Sequence, residues 1–206
     1  MNKIFIEAQN EKTAEYYFLS TILTAFYPDK EVKIICMGGI GNLFREAIVN
    51  QIRIAKDDGD QVLVLADADT VAKGYGYGKR QAEIKKSMQN RLISFPYFLY
   101  PNNRDDGEVE ILMERAARRD LHSVFFDCFE KYEKCVSSVK DARGEPLYNI
   151  PNLKGKLHTY MNAQKMSGKL RDRLGRGDWL FDQQDYWDLG VEDLQPLRDF
   201  LQKNLR

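Results

Sequence analysis

The chain has 206 residues, a length that suits one globular domain or a compact domain with an extension. Lysine plus arginine and aspartate plus glutamate number 31 each, so the balanced charge excludes a general electrostatic attraction to nucleic acid or to a membrane. No apolar run approaches the ~20 residues that a membrane-spanning helix needs, and the N-terminus does not resemble a signal peptide. We therefore predict a cytoplasmic protein in which any contact with DNA or RNA depends on a local basic patch.

The first ~118 residues alternate between strand and helix patterns, which predicts a mainly parallel sheet covered by helices. Short apolar runs predict four strands, near residues 3–7, 32–37, 61–66 and 96–100. Helical periodicity predicts helices over residues 11–26 (with Asn10 as the N-cap), from Asn42 to residue 55, over 79–92 and after Gly107. These elements together predict an α/β fold of the Rossmann-like type.

Beyond residue 119 the pattern is helical only. Amphipathic periodicity predicts helices over residues 121–139, 156–174 and 191–205, joined by a loop and by a tryptophan-containing connection. We therefore predict an α/β domain over residues 1–118 and a helical extension over residues 119–206 that packs on it.

Cysteine and histidine usage limits the type of metal that the chain can hold. Cys36, Cys128 and Cys135 lack the spacing of a zinc site, and we expect all three to be small buried side chains. With only two histidines in the chain, zinc is disfavoured. Any metal should therefore be a hard cation bound through oxygen.

Acidic residues follow the ends of the predicted strands. Glu7 ends the first strand, Asp67 and Asp69 end the third, and Glu110 lies in the first turn of the helix after the fourth. The carboxyl ends of parallel strands meet at one edge of the sheet, where ligands bind. Two carboxylates ~5 Å apart repel by roughly 3 kcal/mol at an effective dielectric constant of about 20, and Mg²⁺ would offset this repulsion. By repulsion alone, Asp69→Asn should leave the metal-free protein as stable as the wild type or more stable.

The alternative for each aspartate is a structural role, since an acid after a strand is often a helix cap or a turn former. Glu7 is harder to explain in this way because glutamate is a poor strand residue. Taken together, the acids favour a metal site.

Two other features border the same edge. Gly38 and Gly39 follow the second strand and either cradle an anion at a helix N-terminus or simply form a tight strand-to-helix turn. Lys79 and Arg80 follow the aspartate pair, and they either contact a bound phosphate or belong to a solvated helix face.

These motifs resemble the Toprim domain, which topoisomerases, bacterial primases, recombination mediators and overcoming-lysogenization-defect nucleases share. The resemblance rests on the strand that ends in Glu7, on Gly38-Gly39, and on the strand at residues 62–69 that ends in Asp-Ala-Asp. The segment at residues 100–110 is further similar to an uncharacterised bacterial branch of Toprim-like proteins. The resemblance covers roughly residues 3 to 115.

The resemblance implies a Toprim-like fold in which Glu7 is a general acid/base or a metal ligand. It implies that Asp67 and Asp69 bind Mg²⁺ (or Mn²⁺), and that Glu110 is a further acidic group. The expected activity is Mg²⁺-dependent phosphoryl transfer on the phosphodiesters of DNA or RNA, as in a nuclease, with Lys79 or Arg80 contacting phosphate. The alternative is a non-catalytic module that binds a nucleotide, a protein partner or a second copy of the chain.

Overall fold

The computed structural model describes residues 1–206 and has an α/β fold built on a four-stranded sheet. The strands are β1 (Asn2–Ile6), β2 (Val32–Cys36), β3 (Gln61–Asp67) and β4 (Tyr97–Tyr100). Their order across the sheet is β2-β1-β3-β4, and every neighbouring pair is parallel. The predicted fold class and all four predicted strands are confirmed, and each observed strand lies within one residue of its predicted bounds.

Helices cover both faces of this sheet. They are α1 (Ala14–Phe26), α2 (Glu46–Asp57), α3 (Tyr77–Arg91), α4 (Val109–Ala116), α5 (Arg119–Ser137), α6 (Leu153–Ala163), α7 (Gly168–Gly175) and α8 (Gln195–Asn204). No helix combines the length and the apolar character needed to cross a lipid bilayer.

The order of the strands creates a binding crevice. From β1 the chain crosses to β2 on one side and then returns past β1 to β3 on the other side. Ile6 and Leu65 pair in register near the carboxyl ends of β1 and β3. The crevice just beyond these ends is the topological switch point, the place where open α/β sheets bind ligands.

Two hydrophobic cores lie on opposite faces of the sheet. The smaller contains side chains of α2 and α3, such as Ile52 and Ile84. The larger joins α1 and α4 to residues far along the chain, including Leu157, Trp187 and Leu201. The helices after residue 119 thus bury part of their apolar side chains against the same sheet face as α1.

The predicted starts of the first two helices were wrong. Helix α1 begins after Thr13, whose hydroxyl accepts a hydrogen bond from the Tyr16 N–H, whereas Asn10 accepts from the Lys12 N–H in a turn that delays the helix. Asn42 does not open α2 either. It ends a short 3-10 turn, and its amide donates back to two backbone carbonyls of the preceding loop.

The extension differs from its prediction in two ways. The single helix expected over residues 156–174 is two helices, α6 and α7, because Ser167 interrupts the run and caps α7 by accepting from the Leu170 N–H. Cys128 and Cys135 are exposed rather than buried, because they lie on a side of α5 that no other part of the chain covers.

Candidate functional site

Glu7 lies at the switch point, directly after the central strand β1. Its carboxylate accepts hydrogen bonds from the backbone N–H groups of Asp67, at 3.2 Å, and of Ile40. Burial raises the pKa of Glu7, and these two hydrogen bonds oppose the increase. Backbone N–H groups at the end of β3 and after β2 therefore hold this carboxylate in place.

The Gly38-Gly39 turn serves this arrangement. Both glycines have positive φ angles, +70° and +114°, which side chains with a Cβ rarely adopt. Their N–H groups donate to the carbonyl oxygens of Ala8 and Glu7, at 2.9 and 2.7 Å. The two N–H groups considered for anion binding are thus hydrogen-bonded within the chain, and the turn brings the Ile40 N–H to Glu7.

Asp67, the last residue of β3, joins the strand edge to α4. One carboxylate oxygen accepts from the Val109 N–H at 2.9 Å, so Asp67 caps the N-terminus of that helix. Burial and the neighbouring carboxylates of Glu7, Glu110 and Glu15 raise the pKa of Asp67 well above its usual value. Asp67 is therefore a helix cap, and it also belongs to a group of neighbouring acids.

Glu110 and Glu15 complete that group. Glu110 is in the first turn of α4 and is 7% exposed, and Lys154 pairs with it at 3.2 Å. Glu15 is in the first turn of α1, where burial and then the carboxylates of Glu7 and Glu110 raise its pKa to about 8. We call Glu7, Glu15, Asp67 and Glu110 the acidic cluster.

Sequence reasoning missed Glu15, although a signal for it existed. The sequence predicts Glu110 at this edge because it lies in the first turn of a helix that follows a strand. Glu15 occupies the same position relative to β1, since α1 follows that strand. The intervening residues 8–13 obscured the relation by separating Glu15 from the strand end.

Tyr100 ends β4 beside the cluster. The side chain is wholly buried, and its hydroxyl has no hydrogen-bond partner within the chain. Burial raises the pKa of this hydroxyl well above its usual value, and Glu15, Asp67 and Glu110 add to the increase. A buried hydroxyl without a partner next to crowded carboxylates is an incomplete polar network.

Asp69 borders the acidic cluster, and its charge adds to the raised pKa of Glu7, but its carboxylate is paired elsewhere. Its backbone has a φ of +58° and forms two hydrogen bonds with Gly107, and its carboxylate turns toward α3. There it accepts from the guanidinium of Arg80 at 2.5 Å, and Arg80 is only 7% exposed. The Tyr75 ring covers the same guanidinium, with 4.0 Å from its centre to the central carbon.

The other cations nearby are exposed. Lys79 donates to the Gly74 carbonyl oxygen at 2.7 Å, and Lys73 pairs with Glu108 and lies 3.9 Å from Asp69. With Arg80 they form a basic rim on one side of the acidic cluster.

The donor set of the cluster fits a hard divalent cation. Within the cluster only Glu110 has an ion pair, with Lys154. Burial raises the pKa values of Glu7, Glu15 and Asp67, and neighbouring carboxylates add to the increase. The side chains do not form a finished cage, since no three acids converge as metal ligands. Ligation would require the carboxylates to rotate toward a common point. Asp67 could bind a cation through its second oxygen while the first oxygen caps α4.

Comparison with protein families places the chain in one of them. The profile of the family described as "Protein of unknown function (DUF3226)" matches residues 1–206. The chain belongs to the DUF3226 family. Comparisons with curated proteins and with solved structures found no match. The family match extends over the α/β core and the helices after residue 119, so the acidic cluster and the basic rim both lie within the DUF3226 region.

Proposed function

We propose that this protein is a cytoplasmic, Mg²⁺-dependent phosphoryl-transfer enzyme with a Toprim-like site, a nuclease that acts on nucleic-acid phosphodiesters. The observation that carries the proposal is the acidic cluster at the topological switch point, with four carboxylates and one paired lysine. Such crowding is costly without a counter-charge, and a bound divalent cation would supply one.

Three carboxylates of the cluster would be metal ligands, and one of them, Glu7, would also transfer a proton. Glu7, Asp67 and Glu110 would hold Mg²⁺ or Mn²⁺, and Glu15 is the fourth carboxylate of the cluster. A cation bound there supplies charge neutralisation and an activated water for attack on phosphorus. Glu7 is also suited to proton transfer, because its raised pKa brings it closer to neutral pH and the two backbone N–H groups fix its orientation.

The basic rim supplies phosphate contacts. Asp69 and the Tyr75 ring hold the Arg80 guanidinium in a fixed position, and its buried Nε atom has no partner within the chain. A preorganised guanidinium is suited to bind phosphate oxygens. Lys79 is exposed, and its ammonium group contacts only the Gly74 carbonyl oxygen and the Tyr75 ring, so it is free to reach a backbone phosphate.

A second function has one observation in its favour. The ion pair between Asp69 and Arg80 engages a carboxylate that the Toprim resemblance assigns to the metal. This pairing favours a non-catalytic module that binds a nucleotide or a partner at the same edge. The two functions differ in outcome, since a module binds without breaking a phosphodiester bond.

The test is a cleavage assay with single- and double-stranded DNA and RNA, in Mg²⁺, Mn²⁺ or EDTA. We expect metal-dependent cleavage of at least one substrate, and we expect Glu7→Gln to lower its rate by about 100-fold or more, because a general acid/base contributes this much. Glu145→Gln is the matched control, since Glu145 is exposed and has no ion pair. Cleavage that survives EDTA or Glu7→Gln would contradict the proposal, and binding without cleavage would support the module.

A further inference from the structure

Helix α5 carries apolar side chains on more of its surface than the fold covers. Phe126 and Phe129 are buried, and the Phe126 ring packs 5.0 Å from that of Tyr160 on α6. A second set, which we call the α5 stripe, is exposed: Leu121, Val124, Cys128, Tyr132 and Cys135. Val124, Cys128, Tyr132 and Cys135 follow one another at spacings of three or four residues and lie on one side of the helix, and Leu121 precedes them across a kink at His122. Val124 is 75% exposed and Leu121 is 56% exposed, so this side has no cover within the chain.

The exposed surface continues past the end of the helix. Val139 and Leu147 are also exposed, and the Leu147 N–H donates to the Val139 carbonyl oxygen at 3.0 Å, which holds them side by side. With the α5 stripe they offer on the order of 600 Å² of apolar surface, at or above the largest patch of a typical monomer. A standard interface buries about 800 Å² per partner, including a polar rim, so this patch is large enough for the centre of a stable dimer.

The charges along one border of the α5 stripe indicate which partner fits. Asp127, Lys131 and Lys134 are exposed, and none of them has an ion pair within the chain. The acid lies toward the N-terminal half of the helix and the two bases toward the C-terminal half. In an antiparallel helix pair the same border of each helix faces its counterpart. When the pair is centred between Lys131 and Tyr132, Asp127 lies near Lys134 of the partner subunit, which gives two opposite-charge pairs across the interface. The exposed Lys131 side chains lie beside the axis and extend into solvent.

We propose that the α5 stripe is the interface at which two copies of this chain pair, with their α5 helices antiparallel about a two-fold axis. A two-fold axis perpendicular to the helix brings the same patch of both copies into contact, so the assembly is complete as a dimer. Centring the pair between Lys131 and Tyr132 places Cys128 opposite Cys135 of the partner subunit. This inference is independent of the catalytic proposal, because it involves no residue of the acidic cluster.

The first test is the solution mass of the full chain by sedimentation equilibrium over a range of micromolar concentrations. We expect a species of twice 24.0 kDa. Val124→Glu should raise the dissociation constant at least ~10-fold, because it brings two like charges into an apolar interface. Ile54→Glu is the matched control, a 59% exposed apolar residue on α2, and should not change the mass. A monomer at the highest concentration, or equal weakening by both variants, would overturn the proposal.

The second test concerns the register and uses a short bifunctional maleimide. Cys128→Ser and Cys135→Ser proteins should each cross-link poorly alone. A mixture of the two should cross-link well, because each heterodimer brings the remaining Cys135 of one copy opposite the remaining Cys128 of the other. Cys36 is present in every sample and sets the background. Equal cross-linking in the separate and mixed samples would contradict the antiparallel register.

Discussion

Replacing Glu15 by glutamine is expected to stabilise the metal-free protein above pH 7 and to flatten the dependence of its stability on pH. The pKa of Glu15 in the folded protein is raised to about 8 from an ordinary value of 4.5. Between these two values the folded state binds a proton that the unfolded state lacks, so the wild type gains stability as the pH falls from about 8 toward about 4.5. Each unit of pKa shift is worth about 1.4 kcal/mol, and Glu7 and Asp67 add contributions of the same sign.

Urea unfolding in EDTA at several pH values measures this effect. We expect the free energy of unfolding of the wild type to fall by about 1–3 kcal/mol between pH 5.5 and pH 8.5. That of Glu15→Gln should fall less, because the glutamine carries no charge at either pH. Glu145→Gln should follow the wild type. A wild-type stability that is flat or rises over this interval would show that the carboxylates are not crowded.

Asp69→Asn and Asp67→Asn are expected to change stability in opposite directions. Asp69 is the closest partner of the nearly buried Arg80, so its neutralisation leaves the guanidinium only the longer pair with the exposed Glu83, at 3.3 Å, at a cost of about 2–3 kcal/mol. The ion pair thus reverses the expectation that follows from repulsion alone. Asp67→Asn keeps an oxygen that can accept from the Val109 N–H and removes one charge from the cluster. We expect that variant to be as stable as the wild type or more stable by about 1 kcal/mol.

Urea unfolding of both variants at pH 8 in EDTA measures whether each substitution lowers or raises the free energy of unfolding. Combining Asp69→Asn with Arg80→Met is the control, because removing both partners of a buried ion pair should recover part of the loss. If the double variant were less stable than Asp69→Asn alone, the ion pair would not explain the effect.

The sequence predicted the sheet well because its strands are short, continuous apolar runs. β3 is buried on both faces, so Val62 to Ala66 form an unbroken hydrophobic segment that has few other interpretations. The helix starts were predicted less well, because Asn10 and Thr13 are both good caps. The choice between them depends on a turn at Lys12 that periodicity does not reveal.

For the site, the sequence indicated which edge would gather acids but not how each carboxylate would point. The positive φ of Asp69 and its bridge to Gly107 turn it toward Arg80, and these backbone features have no signature in an Asp-x-Asp motif. The use of Asp67 as a cap for α4 depends on a contact between residues 42 positions apart. Such long-range contacts decide the roles of individual side chains, and single-sequence patterns do not contain them.

Titration of the metal-free protein with Mn²⁺, followed by calorimetry, tests the central claim most directly. We expect saturable binding with a dissociation constant in the micromolar to low millimolar range, and proton release, because carboxylates with raised pKa values must lose protons to ligate a cation. Asp67→Asn and Glu7→Gln should each weaken binding at least ~10-fold, whereas Glu145→Gln should bind as the wild type does. Absence of binding at millimolar Mn²⁺, or equal binding by all four proteins, would contradict a metal site in the acidic cluster.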